Sequence, residues 1–245
     1  MKFIGVIPAR YASTRFPAKP LALLQGKPMI QWVIEGARKS QRLTDIIVAT
    51  DHEDIRKAAE AIGCKTVMTD SDLPSGSDRI HAATKNLDYD VVVNIQGDEP
   101  LVTGELIDNL AGIFTKDASV DMATLAHPIS LAELESANAV KVVLNHKDEA
   151  LYFSRYAIPY SRVRGAQAPT LSGCLKHIGM YAYTKNFLKM FCETSPTEIE
   201  VAESLEQLRA LYLGAKIKVL RVHEASLGVD TPEDLAKLEL LMRGK

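Results

Sequence analysis

The densest chemistry in the chain lies in the stretch Ile7-Pro8-Ala9-Arg10-Tyr11-Ala12-Ser13-Thr14-Arg15-Phe16-Pro17-Ala18-Lys19-Pro20-Leu21. Its three prolines keep it out of helix and ladder, so Arg10, Arg15 and Lys19 are expected on one long irregular loop. Two guanidinium forks and an ammonium, with the Ser13 and Thr14 hydroxyls between them, suit a cluster of phosphate oxygens whose mutual repulsion must be neutralised. A solvated basic loop with surface ion pairs is the plainer alternative. Neither Gly-x-x-x-x-Gly-Lys-Ser/Thr nor Gly-x-Gly-x-x-Gly occurs here, so the loop is not a P-loop and dinucleotide redox chemistry loses its main support.

A second constellation is Val91-Val92-Val93-Asn94-Ile95-Gln96-Gly97-Asp98-Glu99-Pro100. An almost continuous apolar strand would deliver Gln96, Gly97 and Asp98 to one sheet edge, and Gly97 allows a turn or a close backbone approach. A carboxylate there can hold a hard cation; magnesium takes one or two carboxylates and completes its shell with water and substrate phosphate. The distant partner is expected to be Asp230, which follows Leu227-Gly228-Val229 and precedes a helix start. As plainer alternatives, Asp230 caps that helix and Asp98 forms a turn. A third segment, Leu73–Arg79, brings small residues, hydroxyls and Arg79 that suit the edge of a base or ribose. By composition alone it reads as a helix-capping loop.

Positioning these groups falls to alternating short apolar strands and helices, the pattern of βαβ units around a parallel sheet. Strands are expected at Phe3–Pro8, Asp45–Thr50, Lys65–Thr69 and Val91–Ile95. The intervening helices are Pro28–Ser40 with Pro28 in its first turn, His52–Ile62 capped by Asp51 and stopped at Gly63, one following Ser77, and Gly104–Lys116. At such a sheet, ligands gather at the carboxyl ends of the strands. The second half reads as strands at Val140–Asn145, Ala150–Arg155 and Leu175–Tyr183, the first two joined by a polar turn in an antiparallel excursion. Helices Glu198–Leu213 and Thr231–Arg243 flank a last strand, Lys216–His223. Arg164–Ser172 is a soft linker too short to separate independent domains, which makes the chain one domain with an inserted flap at about 140–183.

Across 245 residues, 29 basic and 31 acidic side chains leave a net charge of −2, with 47% hydrophobic residues. Such a chain can bury a core without staples. The near-neutral balance speaks against a nucleic-acid or membrane-surface protein, while leaving room for anionic small molecules held by a local cluster. No apolar run has the length of a membrane span and the start is too short for a signal segment, so a cytoplasmic protein is expected. Cys64, Cys174 and Cys192 are odd in number and far apart, and read as reduced packing residues.

Taken together, IPARYASTRFPAKPL (7–21), Ala49-Thr50-Asp51, SGSDR (75–79), NIQGDEP (94–100), LYFSRYAIP (151–159), HIGMYAY (177–183), LEQLR (205–209) and GVDTPEDL (228–235) resemble the 3-deoxy-manno-octulosonate (Kdo) cytidylyltransferases, in this order and over nearly the whole chain. The resemblance implies an α/β, Rossmann-like nucleotidyltransferase fold, mostly parallel with helices on both faces and a smaller antiparallel dimerisation flap. It also implies a homodimer, Mg2+, and activation of Kdo with CTP for lipopolysaccharide synthesis. Ala9, Arg10, Ser13, Thr14, Arg15 and Lys19 would carry the triphosphate; Thr50, Asp51, Ser75, Gly76, Ser77 and Arg79 would lie by the nucleotide; Asp98 and Asp230 match the metal aspartates. Gln96, Arg155, His177, Tyr181, Glu206 and Gln207 match positions lining the sugar-acid pocket, to which Arg15 also contributes. No general base is nominated beyond His177, should it reach the attacking hydroxyl. The chain has Ser77 where threonine is usual, and Thr184 and Ser204 where arginine and lysine are expected, so an 8-amino-Kdo cytidylyltransferase is the close variant. A non-catalytic nucleotide-sugar sensor is the alternative from another class.

Overall fold

The structure, a computed structural model, describes residues 1–12, 16–160, 173–223 and 228–243. Ser13, Thr14, Arg15 and the expected Arg164–Ser172 linker lie outside these residues. The chain divides into two compact units, Met1–Gly112 with Ser226–Lys245, and Ile113–Ala225.

The first unit is built from β1 (Phe3–Ala9), β2 (Leu23–Leu24), β3 (Lys27–Pro28), α1 (Met29–Ala37), β4 (Leu43–Thr50), α2 (Glu53–Ala61), β5 (Lys65–Met68), α3 (Gly76–Thr84), β6 (Val91–Asn94) and the opening of α4 (Gly104–Lys116). Its sheet runs β6-β1-β4-β5 with every neighbouring pair parallel. Val6, Ile7, Val48, Val91, Val92 and Val93 are all buried, as parallel strands with both faces covered require. Helix α1 buries Met29, Ile30, Val33, Ile34 and Ala37, and the partly buried Trp32 donates its indole N–H to the Leu24 carbonyl at 2.8 Å. Two helix starts differ from expectation. Pro28 sits just outside α1, pairing in β3. The cap of α2 is His52, whose Nδ1 accepts from the Asp54 N–H at 3.2 Å, because Asp51 is occupied elsewhere. Gly63, at φ 69°, follows α2 in the left-handed conformation expected of a helix stop.

The second unit holds the rest of α4, then β7 (Met122–Pro128), α5 (Leu131–Glu135), β8 (Lys141–Leu144), β9 (Ala150–Ser154), β10 (Leu175–Thr184), α6 (Lys185–Glu193), α7 (Glu198–Glu203), α8 (Gln207–Tyr212) and β11 (Ile217–Arg221). Strand β7 lies between β11, to which it is parallel, and β10, to which it is antiparallel. The expected antiparallel excursion is present: β8 pairs with β10, and β8 and β9 form a hairpin closed by the Asn145 N–H on the Glu149 carbonyl at 2.9 Å. The helix expected over Glu198–Leu213 is two short helices. Ser204, in the left-handed region at φ 51°, breaks them apart. Strand β7 escapes sequence periodicity because Met, Ala and Leu favour helix, and Thr124 is the one β-branched residue among Met122–Pro128.

The chain returns to the first unit with α9 (Pro232–Arg243). Its start is built as the sequence implies: the Thr231 hydroxyl accepts from the Asp234 N–H at 3.3 Å, and the Asp234 carboxylate accepts from the Thr231 N–H at 3.1 Å. Leu238 of α9 packs with Val229, Leu24 and Met29, joined by Phe16, Trp32, Leu101, Leu235 and Met242. That cluster fastens the segment carrying Asp230 to the start of α1. Cys64 and Cys174 are buried and free, and desolvation raises both thiols above their ordinary pKa. Cys192 is partly buried and forms no disulfide among the described residues.

Candidate active site

Parallel register brings the strand ends together in the first unit. Ala9 lies opposite Thr50, and Val6 opposite Asn94, so the chain leaves β1, β4 and β6 side by side at one edge. The segment after β6 passes so close to β1 that a Cβ on Gly97 would stand 2.9 Å from the Pro8 carbonyl oxygen. Only glycine fits there, which is the close approach its place in the sequence suggests.

Lys19 opens a short helical turn (Lys19–Leu21) after Ala18, which is in the left-handed conformation and whose N–H reaches the Tyr11 carbonyl at 3.0 Å. The turn folds the loop back on itself and sends the ammonium to the strand ends. Lys19 Nζ is 2.6 Å from Asp98 Oδ2 and 3.6 Å from Asp230 Oδ1, and it donates to the Val229 carbonyl at 3.0 Å. The Val229 N–H in turn donates to the Asp98 carbonyl at 2.9 Å. Two acids separated by more than half the chain thus meet on one nitrogen. The Asp230 side chain is 54% exposed and the Lys19 side chain 17%, so the carboxylate pair is open to solvent on the Asp230 side while the ammonium is nearly enclosed.

Arg10 is exposed at the exit of β1, directly after the buried Ala9. Ser13, Thr14 and Arg15 lie outside the described residues. Gln96 is half-buried, and its carbonyl accepts from the Glu99 N–H at 3.2 Å in the turn that carries Asp98.

Asp51 and Arg79 are placed differently from a pair that presents itself to a ligand. Their side chains are 8% and 4% exposed, with Arg79 Nη2 3.2 Å from Asp51 Oδ2. The other Asp51 oxygen accepts from the Tyr11 N–H at 3.0 Å, and Arg79 Nη1 donates to the Thr69 hydroxyl. This buried pair ties the loop after β1 to α3 and to the end of β5. Thr50 is buried and accepts from the Thr69 N–H through its carbonyl at 2.8 Å. Ser75 is the N-cap of α3, accepting from the Asp78 N–H at 3.2 Å and donating to Asp78 Oδ2 at 2.7 Å; Gly76 and the buried Ser77 form its first turn. The helix-capping reading of this segment is therefore correct for Ser75. Sequence reasoning passed over Tyr11 and His52, whose rings stack at 3.7 Å and 15° beside the Asp51 turn. Nothing in their spacing announces a contact across 41 residues.

Arg155, His177, Tyr181, Glu206 and Gln207 belong to the second unit. Arg155 clamps the break between α7 and α8: its backbone N–H donates to Glu203 Oε2 at 2.9 Å, and its guanidinium to the carbonyls of Glu203, Ser204 and Ala137 at 2.8, 3.2 and 3.1 Å. Gln207 is buried and Glu206 half-buried just past that break. The ammonium of the fully buried Lys141 donates to the Ser136, Ala139 and Arg155 carbonyls at 2.7, 2.8 and 2.5 Å, and desolvation lowers its pKa. His177 is buried, its Nε2 3.0 Å from the Thr124 hydroxyl, and its ring lies edge-on to Phe153 at 5.0 Å and tilted against Tyr181 at 5.4 Å. The Thr124 hydroxyl has backbone acceptors at Ile178 and Met180, so it receives the Nε2 proton of a neutral imidazole. Burial pushes His177 down to about 3, which removes it as a proton acceptor at neutral pH. Burial and the Glu206 charge raise the Tyr181 phenol.

Among the described residues no three His, Cys, Asp or Glu side chains are grouped to hold a metal. Two hard carboxylate oxygens converging on one point fit magnesium, which leaves most of its shell to water and phosphate. They do not fit zinc, which asks for three or four nitrogen, sulfur or oxygen ligands.

Residues 4–217 match the family model for cytidylyltransferases. The chain is 70% identical over 242 residues to the 3-deoxy-manno-octulosonate cytidylyltransferase of Bdellovibrio bacteriovorus, covering 99% of this chain and 98% of that one. This chain belongs to the 3-deoxy-manno-octulosonate cytidylyltransferase family. The family member of Bacteroides thetaiotaomicron is 46% identical over 253 residues, with both chains fully covered. A solved CMP:2-keto-3-deoxy-manno-octonic acid synthetase complexed with CTP superposes at TM-score 0.94 with 40% identity, over 100% of this chain and 99% of that one. The Rossmann-like nucleotidyltransferase fold of the family, a mostly parallel mixed sheet with helices, is the fold found here. No helix among the described residues is long and apolar enough to cross a membrane.

Proposed function

We propose that the chain is a cytoplasmic, homodimeric enzyme that transfers CMP from CTP to the anomeric hydroxyl of Kdo, releasing pyrophosphate, for lipopolysaccharide synthesis. The observation that carries the reading is the convergence of Lys19, Asp98 and Asp230 at the strand ends, beside the Arg10 loop. A strand-end centre of two acids and an enclosed ammonium is machinery a phosphate sensor does not need.

The anomeric oxygen of the sugar acid attacks the α-phosphorus of CTP, and the bond to the bridging oxygen of pyrophosphate breaks. Arg10 and Lys19 stabilise the negative charge that moves onto the leaving group, which needs positioning and charge neutralisation more than covalent help. Asp98 and Asp230 are the residues that would hold Mg2+; when bound, it supplies positive charge to phosphate oxygens and lowers the pKa of the attacking hydroxyl. The buried Asp51–Arg79 pair fixes the Tyr11 backbone, and with it the turn that follows Arg10. In the second unit Arg155 sets the break from which Glu206 and Gln207 project, the groups assigned to the sugar acid. His177 serves as a buried, neutral hydrogen-bonding group, held by the Thr124 hydroxyl beside Tyr181.

The homodimer is supported by the β8–β9 hairpin, where Leu151 is 59% exposed, with Tyr156 at 84% and Tyr160 at 77% just beyond it. Large apolar side chains on and beside an edge strand are what a second copy would cover. The test is pyrophosphate release with CTP or UTP against Kdo, 8-amino-Kdo and sialic acid. Release that requires CTP and Kdo supports the reading. Preference for 8-amino-Kdo would transfer the assignment to the close variant, and nucleotide binding without turnover would make the chain a sensor.

A further inference from the structure

Two carboxylates facing one another across a partly exposed site repel unless a cation lies between them. Here the cation is part of the chain. Lys19 Nζ touches Asp98 Oδ2 at 2.6 Å, stands 3.6 Å from Asp230 Oδ1, and is fixed from behind by the Val229 carbonyl at 3.0 Å. The point that a divalent cation would occupy to use both acids is therefore neighboured by an ammonium. An incoming metal must either sit beside a like charge or wait until the ammonium has gone. The backbone of Lys19 is anchored: Ala18 is tied to Tyr11, and the Leu21 N–H reaches the Ala18 carbonyl at 2.8 Å. The ammonium can move only by swinging its four-carbon stem, and the same loop carries Arg10, so the nearest alternative for it is an anion held at that loop.

We propose that Lys19 is the resident counter-ion of the Asp98–Asp230 pair and leaves it for the nucleotide phosphates, so that metal and nucleotide bind as a mutually dependent pair and magnesium alone binds weakly. The proposal rests on the reading of this centre as the triphosphate and metal site. It adds an order to it: the triphosphate draws the ammonium away, and the vacated carboxylates then carry their full charge toward the metal. By linkage, the factor by which nucleotide strengthens the metal site equals the factor by which metal strengthens nucleotide binding. Contact between metal and phosphate would couple the two ligands as well, so the part owed to Lys19 is read in the nucleotide-free protein, where the ammonium alone opposes the metal.

The test is calorimetric titration of magnesium chloride into nucleotide-free protein, with no turnover involved. Lys19→Met should bind magnesium roughly ten- to a hundredfold more tightly than wild type, and adding Asp98→Asn to it should abolish the gain. Lys19→Gln keeps donors for Asp98 and the Val229 carbonyl without the charge; it should shift affinity in the same direction and carries the test if the methionine variant does not fold. Equal magnesium affinity in wild type and the neutral variants would overturn the proposal, and so would a gain that survives Asp98→Asn. Failure of the functional reading itself would show separately, as wild-type protein that releases no pyrophosphate from CTP and Kdo.

Discussion

Removing one side of the buried Asp51–Arg79 pair separates its two conceivable roles. Family resemblance assigns both residues to the nucleotide, whereas the structure encloses them, at 8% and 4% side-chain exposure, in contact with each other, Tyr11 and Thr69. Among the described residues, Asp51→Ala leaves the interior guanidinium with only the Thr69 hydroxyl, and also frees the Tyr11 N–H. Breaking a buried ion pair from one side typically costs about 3–5 kcal/mol, because the surviving charge keeps its desolvation penalty. For a chain of this size that corresponds to a fall in Tm of roughly 6–20 °C. Arg79→Met should cost less, since methionine fills the space and leaves Asp51 its bond to Tyr11. The double variant should be less destabilised than the two single losses combined, because the orphaned partner is gone. Thermal unfolding by circular dichroism reads the stability, and steady-state kinetics reads KM for CTP. Single variants that shift Tm by less than about 2 °C while raising KM for CTP strongly would refute the reasoning and return both side chains to the ligand.

Other outcomes follow from the same geometry. Arg10→Ala and Lys19→Ala should lower kcat by about a hundred- to a thousandfold, the usual loss when a charge-stabilising donor is removed; near-normal kcat in both would end the phosphate-cradle account. His177 is held neutral with its pKa lowered to about 3 from 6.5, so the unfolded chain binds the proton first. Its contribution to stability is therefore complete above about pH 6.5 and is lost as pH falls toward 3. In urea unfolding measured across that range, His177→Gln should show a flatter acid limb, and an unchanged limb would contradict the buried neutral imidazole. Light scattering at micromolar concentration should report a dimer that Tyr156→Glu with Leu151→Glu converts to monomer; a wild-type monomer would contradict the edge-strand argument.

The parallel half of the fold was legible because its strands are nearly continuous runs such as Val91–Val93 and its helices carry ordinary stop and start residues. Even there, the cap of α2 moved from Asp51 to His52, since a carboxylate committed to Tyr11 and Arg79 cannot also close a helix. Local pattern cannot see a competitor 28 residues away. The second half was less legible for the same reason. The split between α7 and α8 is held by Arg155, about 50 residues upstream, and β7 is written in helix-favouring residues that pairing with β10 and β11 overrides. At the site, Asp98 and Asp230 could be paired from their strand-end positions alone. That Lys19 would lie between them could not, because an ammonium on a long flexible stem leaves no mark in spacing. Arg79, by contrast, looks in the sequence like a ligand-facing cation and is in the structure an interior one.

The most direct test of the centre is a double-mutant cycle on kcat for Asp98→Asn and Asp230→Asn, measured with CTP and Kdo across a magnesium titration. If the two carboxylates hold one metal, each substitution raises the magnesium requirement and lowers turnover, and the double variant is little worse than the worse single one, because groups acting as a unit are strongly non-additive. Fully additive losses with an unchanged magnesium dependence would show that the two acids act separately, and would contradict a shared site at the Lys19 ammonium.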